Sequence, residues 1–209
     1  MTSFIHLYSF YKRDTLRIAA KVFSNAIAVL VGRKQLGQNN SCRNEDDDQI
    51  LAKSLETKGL NVSETVVVCK MMCSFIFRAL DEAKNVAEKY LEFLSQHDSG
   101  SIQFISIYRD FYGGLIAFDC LRKMQKERKS SEYWTSVAEH SMSKFETWAN
   151  ESKWNFQNKL LLLQAEQYCT ERKIEKASVF YKLAISSAKE HRFTHEEVRS
   201  LLCVSRTDS

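Results

Sequence analysis

One stretch of the chain has part of the pattern of a phosphate-binding loop. Gly32 to Asn39 reads GRKQLGQN and follows an apolar run, much as such a loop follows a strand. Its two glycines have the required separation, but Gln38 and Asn39 stand where the loop needs a lysine for the phosphates and a Ser or Thr for magnesium. The stretch therefore supports a nucleotide site only as an alternative interpretation.

A pair of histidines near the end of the chain has a spacing that could hold a metal. His191 and His195 are four residues apart, with Glu196 beside them, and both would face one side of a continuous helix. However, Thr194 and Glu197 form a T-x-x-E capping box, which predicts that a new helix begins at Thr194. His191 is then left in the preceding turn, so the pattern predicts no metal site.

The cysteines favour packing over chemistry. Cys69 and Cys73 share one helical face but bring no His or carboxylate partner with them, and no C-x-x-C pair occurs in the chain. We expect buried thiols that behave as small hydrophobic groups, a reducing compartment and a cytoplasmic location. No signal peptide is evident. The six cysteines are Cys42, Cys69, Cys73, Cys120, Cys169 and Cys203.

Composition excludes several classes of function. No G-x-S-x-G, H-E-x-x-H or kinase motif occurs, so we expect no enzymatic activity and no cofactor. Lys and Arg exceed Asp and Glu by four, but the two signs are interspersed, which argues against nucleic acid as a partner. The most apolar run, Ile18 to Val31, contains Lys21 and Asn25 and is too short to span a bilayer.

The elements that carry these residues are predicted to be helices throughout. The chain has no proline and only six glycines, and runs typical of strands are scarce. The clearest unit is a helical hairpin from Trp154 to Glu197. Each of its helices has one apolar or small face at helical spacing, with Leu161, Ala165, Tyr168 and Cys169 on the first and Ala177, Tyr181, Ala184 and Ala188 on the second.

Two further predictions concern helix boundaries. Ser63 is a plausible N-cap for a helix that continues past Phe75, and the basic stretch from Arg122 to Lys129 reads as a linker between two helices.

A pair of glycines lies inside the helix predicted over residues 102–124. Gly113 and Gly114 each cost a helix about 1 kcal/mol relative to alanine, which suggests that they serve a purpose there. One purpose is the close approach of a neighbouring helix, and the other is a hinge or a gap that faces a ligand. Together with nearby aromatic residues they make up the candidate groove or packing set: Tyr112, Gly113, Gly114, Trp134, Trp148, Trp154, Tyr168 and Tyr181.

The order of small and aromatic residues resembles a known repeat pattern. Ala165, Tyr168, Ala177, Tyr181 and Ala184 follow the tetratricopeptide order. The segments NFQNKLLLLQAE, KASVFYKLAISSAKEH and FTHEE, with FYGGLIAFDCLRK upstream, look like the helical-repeat region of large multidomain signalling ATPases, over about residues 102–197. Those proteins join a protein-kinase-like domain, an ATPase and this repeat region to a histidine kinase or cyclase.

The resemblance implies an all-α fold, a right-handed superhelical array of antiparallel hairpins built from degenerate repeats. It implies binding of a protein partner, or coupling of neighbouring domains, as a non-catalytic scaffold. Because the final helix gives way to VRSLLCVSRTDS, we expect a truncated or independently encoded fragment. The alternative is a regulatory domain that binds a nucleotide or another ligand.

The predicted segments are an N-terminal hairpin (1–36), a polar and acidic loop (37–48), a hairpin (49–101), an expanded hairpin (102–150), a tetratricopeptide-like hairpin (151–193) and an incomplete helix with a tail (194–209).

Overall fold

The described part of the chain is entirely helical. A computed structural model describes residues 24, 26–28, 49–53, 60–95 and 103–193, and no strand occurs among them. The prediction of an all-α fold built from helical hairpins is therefore confirmed. The helices of the two longer ranges are α1 (Leu60–Ile76), α2 (Leu80–Ser95), α3 (Gln103–Lys126), α4 (Glu132–Glu151), α5 (Lys153–Thr170) and α6 (Ile174–Glu190).

The start of α4 has a clear cap, whereas the cap predicted for α1 is wrong. Ser131 has extended backbone angles, and its side chain accepts a hydrogen bond from the Trp134 amide at 3.3 Å. By contrast, α1 begins at Leu60, so Ser63 lies inside its first turn and is fully buried.

Four of the described helices end in the same unusual way. The second residue after the helix adopts a left-handed conformation with φ between 57° and 62°, and the amide of the residue that follows it donates to the carbonyl five residues earlier, at N···O distances of 2.8–2.9 Å. This is the Schellman arrangement, which glycine usually completes because it has no Cβ. Here the left-handed residue is arginine each time, at Arg78, Arg128, Arg172 and Arg192.

Two of these turns share a short sequence as well as a geometry. Glu127 to Lys129 and Glu171 to Lys173 both read Glu-Arg-Lys, and in each the lysine Nζ bonds the glutamate Oε2, at 2.8 Å and 2.6 Å. The turn ion pairs are exposed and add little stability. The motif recurs after 44 residues (172 − 128), which marks equivalent helix ends in two successive hairpins.

The chain divides into two compact units, the first ending at Tyr112 and the second beginning at Gly113. In the first unit, α1 packs against α2. Every residue of α1 from Val62 to Met71 is buried, so this helix has no solvent-facing stripe there. Ala83 and Ala87 lie four apart on α2 and are fully buried, as the helical spacing requires.

In the second unit α4 packs against α5, and α5 packs against α6. The carboxyl-terminal half of α3 also belongs to this unit, and it contacts both α4 and α5 at Gly114. A Cβ on Gly114 would lie 2.7 Å from the Cβ of Ser141 and 3.0 Å from Cδ2 of Leu163. The glycine therefore permits a close approach of helices, and the side chains of α4 and α5 fill the space that a ligand would need.

The predicted linker from Arg122 to Lys129 is wrong over its first five residues. α3 continues to Lys126, so Arg122 is a helical residue, and its position has consequences for the site described below.

The hairpin formed by α5 and α6 matches the predicted faces in one helix and not fully in the other. All four residues predicted on the face of α6, from Ala177 to Ala188, are buried. On α5 only Ala165 of the predicted face is buried, while Leu161, Tyr168 and Cys169 are half-buried. The buried residues of α5 are Asn158, Lys159, Leu160, Leu162, Leu163, Ala165, Glu166 and Thr170.

Several predicted features fall outside the described residues. These are the loop at 37–48, the final helix from Thr194 with His195, the phosphate-loop-like stretch from Gly32 to Asn39, and most of the hairpin at 1–36. The division of the chain into six segments stays a prediction. Within the described ranges, no helix combines the length and the apolar character that crossing a membrane requires.

Candidate interaction groove

A cavity of about 330 Å³ opens between three helices of the second unit. α3, α4 and α5 all contribute side chains to it, and they bring together residues that are up to 53 positions apart (171 − 118). We call it the acid-rimmed groove. Its lining consists of Phe118, Leu121, Thr135, Ala138, Glu139, Met142, Ser143, Glu146, Gln167, Thr170 and Glu171.

The floor and the rim of the groove differ in chemistry. Phe118 and Ala138 are buried, and Leu121 and Met142 are half-buried, so the floor is apolar. The rim carries exposed carboxylates, Glu139, Glu146 and Glu171. An apolar floor with a few polar groups around it is typical of a binding site.

The helical period of α4 explains why one helix supplies so much of the lining. Its buried face consists of Trp134, Ala138, Ser141, Phe145 and Ala149, which recur every three or four residues. The neighbouring stripe, shifted by one position, consists of Thr135, Glu139, Met142 and Glu146, and all four line the groove. Burial of the first stripe therefore fixes the second at the mouth of the groove.

A buried ion pair lies directly beside the groove and joins α3 to α5. Arg122 Nη1 is 2.7 Å from Glu166 Oε2, and the glutamate side chain is only 1% exposed. The same Nη1 also donates to the Glu166 carbonyl at 3.3 Å and to Thr170 Oγ1 at 3.4 Å. Since Thr170 lines the groove, this arginine helps to fix the groove's wall.

Two more side chains complete the network around Glu166. The Tyr181 hydroxyl of α6 donates to Glu166 Oε1 at 2.9 Å, so one carboxylate binds groups from two other helices. Arg122 Nη2 also lies 3.4 Å from Asp119 on its own helix. A buried carboxylate is stable only when its oxygens are bonded in this way.

The electrostatics follow from these contacts. Burial by itself would lower the pKa of Arg122, but the carboxylates of Glu166 and Asp119 outweigh it and raise that pKa, so the guanidinium stays charged. The Cys169 thiol lies 3.5 Å from the Tyr181 hydroxyl, and burial raises its pKa. Cys169 is therefore a weakly reactive thiol at neutral pH.

Sequence reasoning missed the Arg122–Glu166 pair. The available signal was Glu166 itself, which follows Ala165 and lies at helical spacing from Leu162, Leu163 and Thr170, on a face that has to be buried. A charged residue in such a position predicts a buried partner on another helix.

The first unit contains a related network of its own. Glu64 on α1 is fully buried, and its Oε1 lies 2.9 Å from Arg109 Nη1 of α3 and 3.3 Å from the Ser106 hydroxyl, which donates to it. Arg109 Nε also binds Asp110 at 2.9 Å. Here too an arginine of α3 neutralises a buried glutamate on the first helix of a hairpin.

Several residues of the candidate groove or packing set are buried in the two units. In the first unit, Tyr112 is fully buried, with its ring centroid 6.1 Å from that of Phe75. In the second unit, Trp134 and Tyr181 are each 1% exposed, and Gly113 and Gly114 are buried within α3. None of these five lines the acid-rimmed groove.

The other three members are more accessible. Trp148 is half-buried against Phe145 and Phe156, and Tyr168 is half-buried against Phe180. Trp154 is 60% exposed. All three lie outside the groove lining, so the aromatic residues chosen from sequence are not the ones that form it.

His191 and the thiols are placed as the sequence predicts. His191 follows α6 as its C-cap; its Nδ1–H donates to the Ser187 carbonyl at 2.7 Å, and its ring lies edge-on to Trp154 at 4.1 Å. Cys69 and Cys73 are buried thiols. Within the residues that the structure describes, no group of three or more His, Cys, Asp or Glu is placed to hold a metal ion.

Comparison with known proteins identifies the family. No curated protein and no solved structure matches the chain. A family model described as "CHK1-like, TPR repeats" matches residues 56–206, well over half of the sequence. Tetratricopeptide repeats generally mediate protein binding. The hairpins, the small residues between helices and this match agree, and the chain belongs to the CHK1-like family of tetratricopeptide repeats.

Proposed function

We propose that this chain is a non-catalytic protein-interaction module and that the acid-rimmed groove is its binding surface. The observation that supports this proposal most is the groove itself, an apolar cavity bordered by exposed carboxylates in a repeat of a kind that generally binds proteins. The buried aromatic residues and the two ion-pair networks hold the helices together. The groove, by contrast, presents apolar side chains and carboxylates side by side at the surface.

The proposal is tested by blocking the groove without disturbing the core. Ser143 lines the groove and is exposed, so Ser143→Trp places a bulky ring in the cavity mouth while α4 stays intact. Ser136→Trp is the matched control, because Ser136 is also an exposed serine of α4 but does not line the groove.

The measurement is quantitative capture of proteins from a native extract by the whole chain and by each variant. We expect the proteins retained by the wild type and by Ser136→Trp to be lost with Ser143→Trp. Retention of the same proteins by Ser143→Trp would contradict the assignment of the groove.

We propose further that the module works inside a multidomain signalling protein in the cytoplasm. The resemblance to the repeat region of signalling ATPases supports this context, and the buried thiols Cys69, Cys73 and Cys120 are typical of a reducing compartment. Sequencing of the transcript on both sides of the codons for residues 1–209 tests it. An open frame that encodes kinase or ATPase modules is expected, and stop codons on both sides would contradict it.

A further inference from the structure

We propose that the acid-rimmed groove binds a basic amphipathic helix of a partner protein. An apolar side chain of that helix enters the cavity, and two cationic side chains seven residues apart bind Glu139 and Glu146. This inference rests on the proposed function and adds the chemistry of the partner.

The first argument is the spacing of the two carboxylates. Glu139 and Glu146 are seven residues apart on α4, which is close to two helical turns and roughly 10.5 Å along the axis. Both face the groove, and Met142 lies between them on the same stripe. The rim therefore presents an apolar side chain flanked by two negative charges.

The second argument is the type of secondary structure that can match this spacing. In a helix, residues seven apart share one face at the same distance of about 10.5 Å. In an extended strand, side chains on one face are separated by about 6.8 Å or 13.6 Å, for two or four residues. A helix fits the pair of carboxylates and a strand does not.

The third argument is charge. The whole chain carries a formal net charge of +4, so at long range it repels a cationic ligand. Selection for a basic segment must then come from the local carboxylates. Glu171 already binds Lys173 at 2.6 Å, which leaves Glu139 and Glu146 as the main contributors.

The fourth argument is the size of the cavity. A volume of about 330 Å³ accommodates a large apolar side chain such as leucine or phenylalanine beside Phe118, Leu121 and Met142. Apolar anchoring supplies affinity, and the charged rim supplies orientation and specificity.

The test uses synthetic amphipathic peptides of equal length that share a leucine face. One has lysines at positions i and i+7 beside that face, and the others have glutamine or glutamate at the same two positions. Fluorescence anisotropy with the whole chain measures their affinities. We expect the lysine peptide to bind about tenfold more tightly than the glutamine peptide, and the glutamate peptide to bind most weakly.

Matched variants locate the effect. The double variant Glu139→Gln and Glu146→Gln should lose the preference for lysine, since it removes both rim charges. The double variant Glu132→Gln and Glu151→Gln makes the same charge change on α4 outside the groove and should keep the preference. A lysine peptide with its two cations five residues apart, on different faces, should bind like the glutamine peptide.

The other outcomes overturn the inference and separate it from the proposed function. If the peptides bind equally and Ser143→Trp abolishes their binding, the groove takes an apolar segment; the proposed function stands and the basic partner is wrong. If sedimentation shows that Glu139→Gln with Glu146→Gln prevents self-association, a second copy of the chain is the occupant. If no peptide binds and Ser143→Trp still captures all wild-type partners, both proposals fail.

Discussion

α1 in the first unit and α4 in the second show two uses of a hairpin helix. Every residue of α1 from Val62 to Met71 is buried, whereas α4 buries one stripe and leaves the adjacent one at the surface. A helix that is buried on all sides belongs to the core, whereas a helix with one buried stripe can also present a surface. This difference underlies our proposal that the second unit contacts the partner.

The two units nevertheless contain the same kind of ion pair between a buried glutamate and an arginine. Each places a buried glutamate on the first helix of a hairpin and neutralises it with an arginine from α3. Glu64 has Arg109 and a serine, while Glu166 has Arg122 and a tyrosine from the paired helix α6. Glu166 therefore binds side chains of α3 and α6, and Glu64 binds two side chains of α3.

The largest effect is expected when the arginine is removed from the second network. Arg122→Met leaves Glu166 as a buried charge without its cation, and we expect the free energy of unfolding to fall by about 3–5 kcal/mol. Urea denaturation measures this change. Arg109→Met in the first unit should have a similar effect on Glu64, and Lys129→Met, which breaks only an exposed turn pair, should have almost none. A small effect of Arg122→Met would contradict the role given to this pair.

Tyr181→Phe tests the hydrogen bond that joins α6 to Glu166. The variant keeps the ring and removes only the hydroxyl, so one oxygen of a buried carboxylate loses a donor. We expect a loss of roughly 1–3 kcal/mol in urea denaturation. When Tyr181→Phe is introduced into the Glu166→Gln variant, it should lower the free energy of unfolding by less than it does in the wild type, because the acceptor is no longer a carboxylate. Equal costs would show that the hydroxyl does not act through Glu166.

Replacement of the left-handed arginines tests a feature common to both units. Arg172→Gly relieves the steric cost of a Cβ at φ 60° and should stabilise the protein by about 0.5–1 kcal/mol, whereas Arg172→Ala should not. Arg78→Gly in the first unit should give the same gain, since its turn has the same geometry. A loss of stability at one site alone would show that its guanidinium makes a contact that the other lacks.

The smallest effect concerns pH. Because burial raises the pKa of Cys169, folding favours its neutral thiol; the resulting stability is fully present below the pKa of the unfolded thiol and is lost as pH rises through the higher folded value. Relative to Cys169→Ala, the wild type should therefore lose free energy of unfolding as pH rises above the usual pKa of a thiol. A difference that does not change with pH would contradict the burial of this thiol.

The buried faces of α5 and α6 show how much of the fold could be predicted from the sequence. The face of α6 was predictable because Ala177, Tyr181, Ala184 and Ala188 are all small or aromatic at one helical period. The face of α5 was only partly predictable, because its buried positions include Glu166, whose burial depends on an arginine 44 residues away (166 − 122). Propensity also predicts glycine at the Schellman turns, where this chain has arginine.

The groove could not be found by choosing aromatic residues. Its lining comes from three helices, and the rim residues Glu139 and Glu146 belong to a stripe of α4 that, in the sequence, looks like an ordinary solvated face. Only the packing of α3, α4 and α5 around the cavity makes Glu139, Met142 and Glu146 its border.

Hydrogen exchange of the whole chain, with and without a captured partner protein, tests the assignment of the binding surface most directly. The account predicts slower exchange on binding in residues 118–121, 135–146 and 167–171, which border the groove, and little change in residues 60–95. Protection confined to residues 60–95 would place the binding surface in the first unit and contradict the account.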